Sequence, residues 1–574
     1  MKTNKLFKTI LFVLCMIGGA NAAWADDAAD FSALSTAISG ASSNVTINLT
    51  GTTYQGTLTL PDNSVTITIQ GTGSQVLNVK FEGTASSANT PSILFKDVII
   101  KPNNNYLFDL ANCGDISQLA FTNCEITNDA TSRRGIMQNG SSSKTISSVS
   151  FNNCKIHDIG NGWNFMYPIH VVVDVSCTNS TLYNYNGESF FYARTETTSA
   201  ISFTFTNNTV YKWGKGDGIR GICNISGPGE KKFTNTENSF TFKDNIFWDF
   251  YNSGSEGTNK ENICLIVSKK NKGTCNIKNN VIYNYKSDFV WATSEGDFAI
   301  TINKEDNITS LSTLSSIFYD ASVATNYNFG VLTSNATLKT ASSTDGLLCG
   351  DPEWKVWDLN ESTNYTPTAE SNTKVRLTRT ISASKWNTIC LPFSMDNTTL
   401  KATYGDDVKI ANFTGYNSAT KELQFTKMAD GTDAITANTP CLIKVSSAVV
   451  SEEKVISGVT IATGTPTVTF SPAVFTGVYA STTMTAGDYF ISGGKLYKAT
   501  AASQDVKPFR AYFTGVPSEA RLAIDEGFGE VTRIDLPGAD KQTTDGSYYN
   551  LQGQRIQQPT KGLYIVNGRK VIVK

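Results

Sequence analysis

The chain has 574 residues, 17% of them charged, with 48 Lys+Arg against 50 Asp+Glu and a formal net charge of −2. Such a length exceeds one compact core and implies two or three domains, while the faintly acidic balance excludes the basic stripe of a nucleic-acid binder. The two histidines, His157 and His170, lack any metal-ligand spacing, so satisfied surface or edge histidines are expected over a His-based zinc site.

The first element is a leader. Lys2, Lys5 and Lys8 precede the apolar run TILFVLCMIGGA, and small residues follow around Ala20, Ala22 and Ala25. This order is that of a secretory signal over residues 1–25. The run is too short to span a bilayer and no later stretch is long enough. The expected product is exported, either secreted or held at the outer cell surface, with no transmembrane segment. Losing three leader lysines takes the net charge from −2 to −5. Ten cysteines remain after Cys15, and most, including Cys124, Cys154, Cys177, Cys264, Cys275, Cys390 and Cys441, sit in apolar phrases such as ENICLIV and TICLPF. Buried thiols act there as small hydrophobes, so free cysteines are expected over a disulfide framework.

Next comes DDAADFSALSTAISGA, which reads as a short amphipathic helix able to cap an open sheet end. Beyond it a phrase recurs: FKDVII, FTNCEI, FNNCKI, CTNSTL, FTNNTV, FKDNIF and IKNNVI. Its first positions, Phe95, Phe121, Phe151, Cys177, Phe205, Phe242 and Ile277, are separated by 26, 30, 26, 28, 37 and 35 residues. Recurrence at this period marks a stacked architecture. Within each phrase the inward candidates are three apart and then two apart, whereas a strand alternates strictly every two residues. One residue is therefore spent on a corner, usually Asn: Asn123, Asn153, Asn179, Asn207 and Asn279. Asn tolerates the left-handed conformation a corner requires. The position after it, when Asn208, Asn245 or Asn280, can hydrogen-bond along the pile. About eight coils of a right-handed parallel β-helix are expected between Val65 and Ile308, each rising ~4.8 Å. The inserts GPGEKKFTNTEN and YNSGSEGTNKEN are expected as flanking loops, and GDPEWKVWDLNESTNYTPTAESNT as a last irregular coil and linker.

From Lys374 the pattern becomes short strands with turn punctuation, a β-sandwich-like domain. The end carries GLYIV-NG-RKVIV, a hairpin signal with a two-residue turn. The expected organisation is an all-β chain with the β-helix and its cap over 26–370, a sandwich-like domain over 371–535 and a hairpin tail over 536–574.

The coil phrases resemble the pectate-lyase-like parallel β-helix superfamily over roughly residues 45 to 350, in particular secreted β-helix domains of polysaccharide-utilisation systems. The stretch from KWNTICLPF to FRAYF is similar to a β-domain of unassigned role in such exported proteins, and YNLQGQRI to KGLYIVNGRKVIVK resembles the type IX secretion sorting tail. The resemblance implies a carbohydrate context. Lyases of the superfamily use a Lys or Arg base, with Ca²⁺ or basic groups neutralising a uronate, and its hydrolases use paired Asp residues. Neither the paired-Asp motifs, nor Gly-His-Gly, nor Arg-x-Pro-x-x-Arg occurs here. No family motif therefore places a catalytic residue, and Ca²⁺ stays open as the sole cofactor implied.

One local cluster has suitable chemistry. NGESFFYARTE supplies Glu188 and Arg194, and YKWGKGDGIRG in the next coil supplies Lys212, Trp213, Lys215, Asp217 and Arg220. Rings beside cations suit a sugar face and its carboxylate, and a base held near Arg would have a lowered pKa. The bland alternative is solvated turn charges, with Arg220 pairing Asp217. Tyr and Trp along the coils, such as Trp163, Tyr183, Tyr192, Trp248 and Trp291, are candidates for a sugar platform or for ladder packing. The leading expectation is a monomeric protein binding an extracellular, acidic polysaccharide. Its rivals are a lyase cleaving uronate glycan by β-elimination, with Lys215 or Arg220 as base, and a non-enzymatic surface adhesin.

Overall fold

The computed structural model describes residues 24–573 except 84–88, 103–105, 129–134, 161–163, 215–219, 227–232, 249–261, 269, 283–288, 293–298, 312, 321, 336–337, 339–348, 450–452, 501–503, 518, 526–530, 535–547, 550–554, 558–559 and 567–568. The leader and most of the two polar inserts thus lie outside the described residues. Two compact units divide at Lys355/Val356. That boundary precedes residue 370 because the strand Lys355–Asn360 pairs in parallel with Glu370–Thr378.

The first unit is a parallel β-helix of three ladders. Eleven strands from Trp24–Ala28 to Ala299–Glu305 stack in parallel as the first ladder. The strand Val76–Glu82 then serves two further ladders. Its start pairs with Ile99–Ile100 and its end with Phe108–Asp109, and later coils use a separate strand for each. The helix Phe31–Gly40 lies between the first two strands of the first ladder, with Asp30 accepting the Ala33 N–H at 2.8 Å and Leu34 and Ile38 buried. The first ladder therefore starts upstream of the expected Val65, where the strands carry no corner asparagine to announce them.

The recurring phrase is the register itself. Phe95, Phe121, Phe151, Cys177, Phe205, Phe242 and Ile277 are partners in successive strands. Their rings pile up: Phe95–Phe121 and Phe121–Phe151 stack at 5.0 and 4.8 Å with 5° between planes. Asn123, Asn153, Asn179, Asn207 and Asn279 all have φ between 52° and 56°, with Asp97, Asp244 and Asp306 in the same conformation. After each corner the next side chain turns inward. Ser180, Asn208, Asn245 and Asn280 are buried there and form a continuous ladder. Each Oδ1 takes a backbone N–H from the coil before: Ser180 to Asn208 (3.0 Å), Asn208 to Asn245 (2.9 Å) and Asn245 to Asn280 (3.0 Å).

His170 shows how a polar group is tolerated in this interior. Its Nδ1 accepts the Ser141 N–H at 3.1 Å, so its Nε2–H donates to the Gly114 carbonyl at 3.0 Å. Gly140, at φ +115°, must be glycine because a Cβ would collide with the imidazole. Burial lowers the His170 pKa from its ordinary 6.5, against the opposing pull of Asp115, with Lys144 adding to the depression. The unfolded chain therefore takes up this proton first, and His170's contribution, complete above about pH 6.5, is lost as pH falls below that value. Denaturant midpoints at pH 7.5 and 5.5 are expected to differ more for the native chain than for His170→Gln. Equal losses would show that His170 does not titrate with unfolding.

All ten described cysteines are free and buried, as their apolar phrases imply. Burial pushes the Cys113, Cys349 and Cys390 thiols up to about 12. The Cys154 hydrogen bond pulls the Cys124 thiol the other way, but all ten are buried, so a thiol reagent is expected to label none of them in native protein and all of them in denaturant.

After the last coil the chain doubles back over the outward side of the second ladder. Tyr183, Tyr211, Ile246, Trp248 and Val281 point outward there and are buried beneath Ile317, Phe318, Val323, Phe329, Val331 and Cys349. The strap then steps down one coil at a time. Cys349 Sγ donates to Asn279 O at 2.9 Å, Gly350 N to Asp244 O at 2.8 Å, and Asp351 N to Thr209 Oγ1 at 3.0 Å. Trp354 Nε1 donates to Thr181 Oγ1 at 2.6 Å. Only the start of the segment expected as an irregular coil and linker, residues 350–354, ends this cover over apolar rings that would otherwise face water, and the rest supplies the paired strands Lys355–Asn360 and Glu370–Thr378.

The second unit contains two facing sheets. A six-stranded sheet contributes Phe413, Phe425, Leu442 and Ile524, and a five-stranded sheet contributes Phe475, Tyr489, Leu496 and Phe513, to one shared core. This is the sandwich arrangement. A mixed sheet of Lys355–Asn360, Glu370–Thr378 and Glu453–Ile461 adds a second core with the helix Asn397–Tyr404. At the C-terminus Gly562–Val566 pairs antiparallel with Arg569–Val573, Val566 opposite Arg569, within a four-stranded sheet. Among the described residues no helix is long and apolar enough to cross a membrane.

Candidate functional site

A β-helix offers three outward faces, one per ladder, and here they differ sharply. The first ladder shows mainly short polar side chains, edged by lysines: Ser202, Thr204 and Thr206 lie beside Ser239, Thr241 and Lys243, then Thr274, Asn276 and Lys278. The second is covered by the strap from Thr181 onward. The third presents Glu82, Asp109, Gln138, Tyr167, Tyr192 and Asn224 in one row up successive coils.

The middle of that row is aromatic and cationic. Tyr167 and Tyr192, one coil apart, have ring centroids 5.3 Å apart, and the Arg194 guanidinium carbon sits 4.3 Å from the Tyr167 centroid. Arg194 lies two residues past the end of the strand Phe191–Tyr192. Burial pushes the Tyr192 phenol above its ordinary value, and Tyr167 and Glu188 push the same way while Arg194 opposes them. Those four side chains are therefore electrostatic neighbours. Glu188 is anchored at the preceding corner, accepting from Asn164 Nδ2 at 3.1 Å. At the other end of the row Lys80 is paired with Glu82 and lies 4.0 Å from Asp109, which accepts from Asn139 Nδ2 at 2.9 Å.

The remaining sequence candidates separate. Trp213 is fully buried, its ring 4.3 Å from Tyr185 and 5.9 Å from Phe165, and it offers no face to a ligand. The reason is a second corner. Lys212 has φ 50°, aligned with Asp158 and Asn184 in the coils before, so one residue is spent and position 213 turns inward as Tyr185 does. The Lys212 ammonium lies 5.0 Å from the Tyr211 ring of the second ladder, not on the face that carries Arg194. Lys215 and Asp217 fall outside the described residues, as does Trp163. Arg220 begins the strand Arg220–Asn224 of the third ladder, its backbone opposite Asn262. Tyr183 and Trp248, platform candidates by sequence, lie under the strap and can serve no ligand.

Sequence reasoning missed Tyr167, though its place beside Met166 in a short strand would have put it outward. It also passed over the edge of the strap, where His157 meets Asp158 at 2.7 Å and Glu125 at 3.2 Å and stacks on Tyr183 at 4.7 Å. There the His157 hydrogen bond outweighs burial and holds the Glu125 carboxyl below its ordinary value. Among the described residues no group of three or more His, Cys, Asp or Glu could hold a metal ion.

A family described as a domain of unknown function, DUF4957, matches residues 108–213, the coils that carry Tyr167, Glu188, Tyr192 and Arg194. No curated protein matches the chain. Among solved structures, a PL6-family alginate lyase, AlyGC, is similar at 14% identity and TM-score 0.34, over 50% of this chain and 39% of that one. The chain thus spans about two fifths of that lyase's length. No residue role is transferred from it.

Proposed function

We propose that this is an exported β-helix protein that holds an extracellular, acidic polysaccharide on the outward face of its third ladder. One observation carries the reading: the Tyr167 and Tyr192 rings lie side by side with the Arg194 guanidinium stacked on Tyr167. Aromatic faces suit the C–H surface of a pyranose, and a guanidinium pairs with a uronate carboxylate in a two-pronged geometry. Gln138 and Asn224 flank the rings on neighbouring coils and supply amide donors and acceptors for sugar hydroxyls. The row follows the stacking axis, with a repeat of ~4.8 Å per coil, so a polymer can contact several coils at once. The leader and C-terminal tail fit this extracellular setting; finding the protein only in the cytoplasmic fraction of its cell would count against it.

The test is affinity electrophoresis of the intact protein in gels containing pectin, alginate or a glycosaminoglycan, with a neutral glucan beside them. Retardation by an acidic polymer is expected, and mobility unchanged on every glycan would remove the proposal. The same mixtures, followed by ultraviolet absorbance for an unsaturated product, read whether the bound chain is also cleaved by β-elimination, with Lys215 or Arg220 as the base to substitute.

A further inference from the structure

The second unit has a pocket of its own. It encloses about 380 Å³ and is lined by Thr388, Phe490, Ser492, Gln504, Lys507 and Arg510, among others. That volume falls within the range of small-molecule sites. Thr388 and Arg510 also border an unusual set of buried charges. Arg379 is 1% exposed; it gives one Nη2 hydrogen to the Thr388 carbonyl, while its Nε and Nη1 find no partner among the described residues. Arg510 Nη2 donates to Glu361 Oε2 at 2.6 Å, and the Arg510 Nε is likewise unpartnered. Burial and the repulsion of Arg510 pull the Arg379 guanidinium down to about 9. Burial alone would raise the Glu361 carboxyl, but Arg510, Arg379 and Lys507 together hold it below its ordinary value. The charged groups here are Arg379, Arg510 and Lys507 against Glu361 and Asp505, and Asp505 also accepts from Thr483 Oγ1 at 2.7 Å.

An excess of cations with unmet N–H groups is a costly arrangement in a protein interior. Arg510 and Lys507 also line the pocket, and an anion bound beside them offsets the net positive charge of the set. The other lining groups, an amide at Gln504, a hydroxyl at Ser492, a carboxylate at Asp505 and the Phe490 ring, are those that engage a polyol rather than a bare inorganic ion. We propose that this pocket is a second ligand site, separate from the β-helix face, that binds a carboxylate-bearing monosaccharide, a hexuronate, through Arg510 and Lys507. The inference does not rest on the third-ladder reading, although both sites would see the same class of glycan.

The experiment is calorimetric titration of the full chain with galacturonate and with galactose at equal ionic strength, followed by hydrogen exchange with and without galacturonate. Saturable galacturonate binding is expected, at least tenfold tighter than galactose, with slowed exchange over residues 489–492 and 504–511. Arg510 substitutions would strand Glu361 and can unfold the unit, so Lys507→Ala, at an exposed position, is the working variant, with an affinity loss of fivefold or more. Equal binding of galactose, an unaltered Lys507→Ala, or protection confined to 166–194 would each overturn the pocket. The last outcome would leave the β-helix face standing, whereas pocket protection without polymer retardation would do the reverse.

Discussion

Asn245→Ala is expected to destabilise the β-helix by on the order of 3–5 kcal/mol, the largest effect of any single polar substitution in the unit. Asn245 is fully buried, and four groups depend on its amide. Its Oδ1 accepts from Asn208 N at 2.9 Å and Asn208 Nδ2 at 3.1 Å; its Nδ2 donates to Phe205 O and to Asn280 Oδ1, both at 2.8 Å. Alanine removes all four bonds, and water cannot enter a packed interior to replace them. Each stranded donor or acceptor costs about 1–3 kcal/mol, reduced where neighbours re-pair. The exposed Asn303, which bonds Asn276 at 2.8 Å on the outer face, is the matched control, and Asn303→Ala is expected to cost under about 0.5 kcal/mol because water substitutes. Denaturant midpoints of the two variants decide the matter. Similar small shifts would mean that the inner ladder is not a principal stabilising device.

Arg194→Ala and Tyr167→Ala are each expected to weaken retention by an acidic polysaccharide by about 2 kcal/mol, roughly thirtyfold. The two should not add, because the guanidinium is held over the ring at 4.3 Å and each positions the other. Arg194→Lys keeps the charge but not the planar fork, so an intermediate loss follows. Retention by the native chain should fall as salt rises, and that slope should flatten in Arg194→Ala. Thr204→Ala, on the flat first-ladder face, is expected to change retention less than twofold. If Thr204→Ala and Arg194→Ala behaved alike, the third ladder would not be the binding face.

The coil register was legible residue by residue, because steric rules act locally: a strand alternates every two positions, and the Asn at each break can adopt positive φ. The buried asparagines followed from the same spacing. Trp213 was misjudged for the converse reason. Its corner residue is Lys212, a side chain that rarely takes φ near 50°, and only alignment with Asp158 and Asn184 reveals the pattern. Tyr183 and Trp248 were equally ambiguous, since an outward aromatic on one strand reads the same whether or not a distant segment covers it. The C-terminal pocket had no sequence signal, as Arg379, Glu361, Thr388, Lys507 and Arg510 are drawn from separate strands and turns.

Within the chain itself, composition and spacing determined the winding of the first unit, the identity of its inner rows, the burial of its thiols and the strand-rich character of the rest, because these depend on neighbours a few residues away or one repeat away. Tertiary structure alone decided which of the three outward faces stays open. That depends on where the segments carrying Ile317, Phe318, Val323, Phe329 and Val331, and then Cys349 to Trp354, lie down after the last coil, a choice made by the apolar area of Tyr183, Tyr211 and Trp248 together and by no local rule.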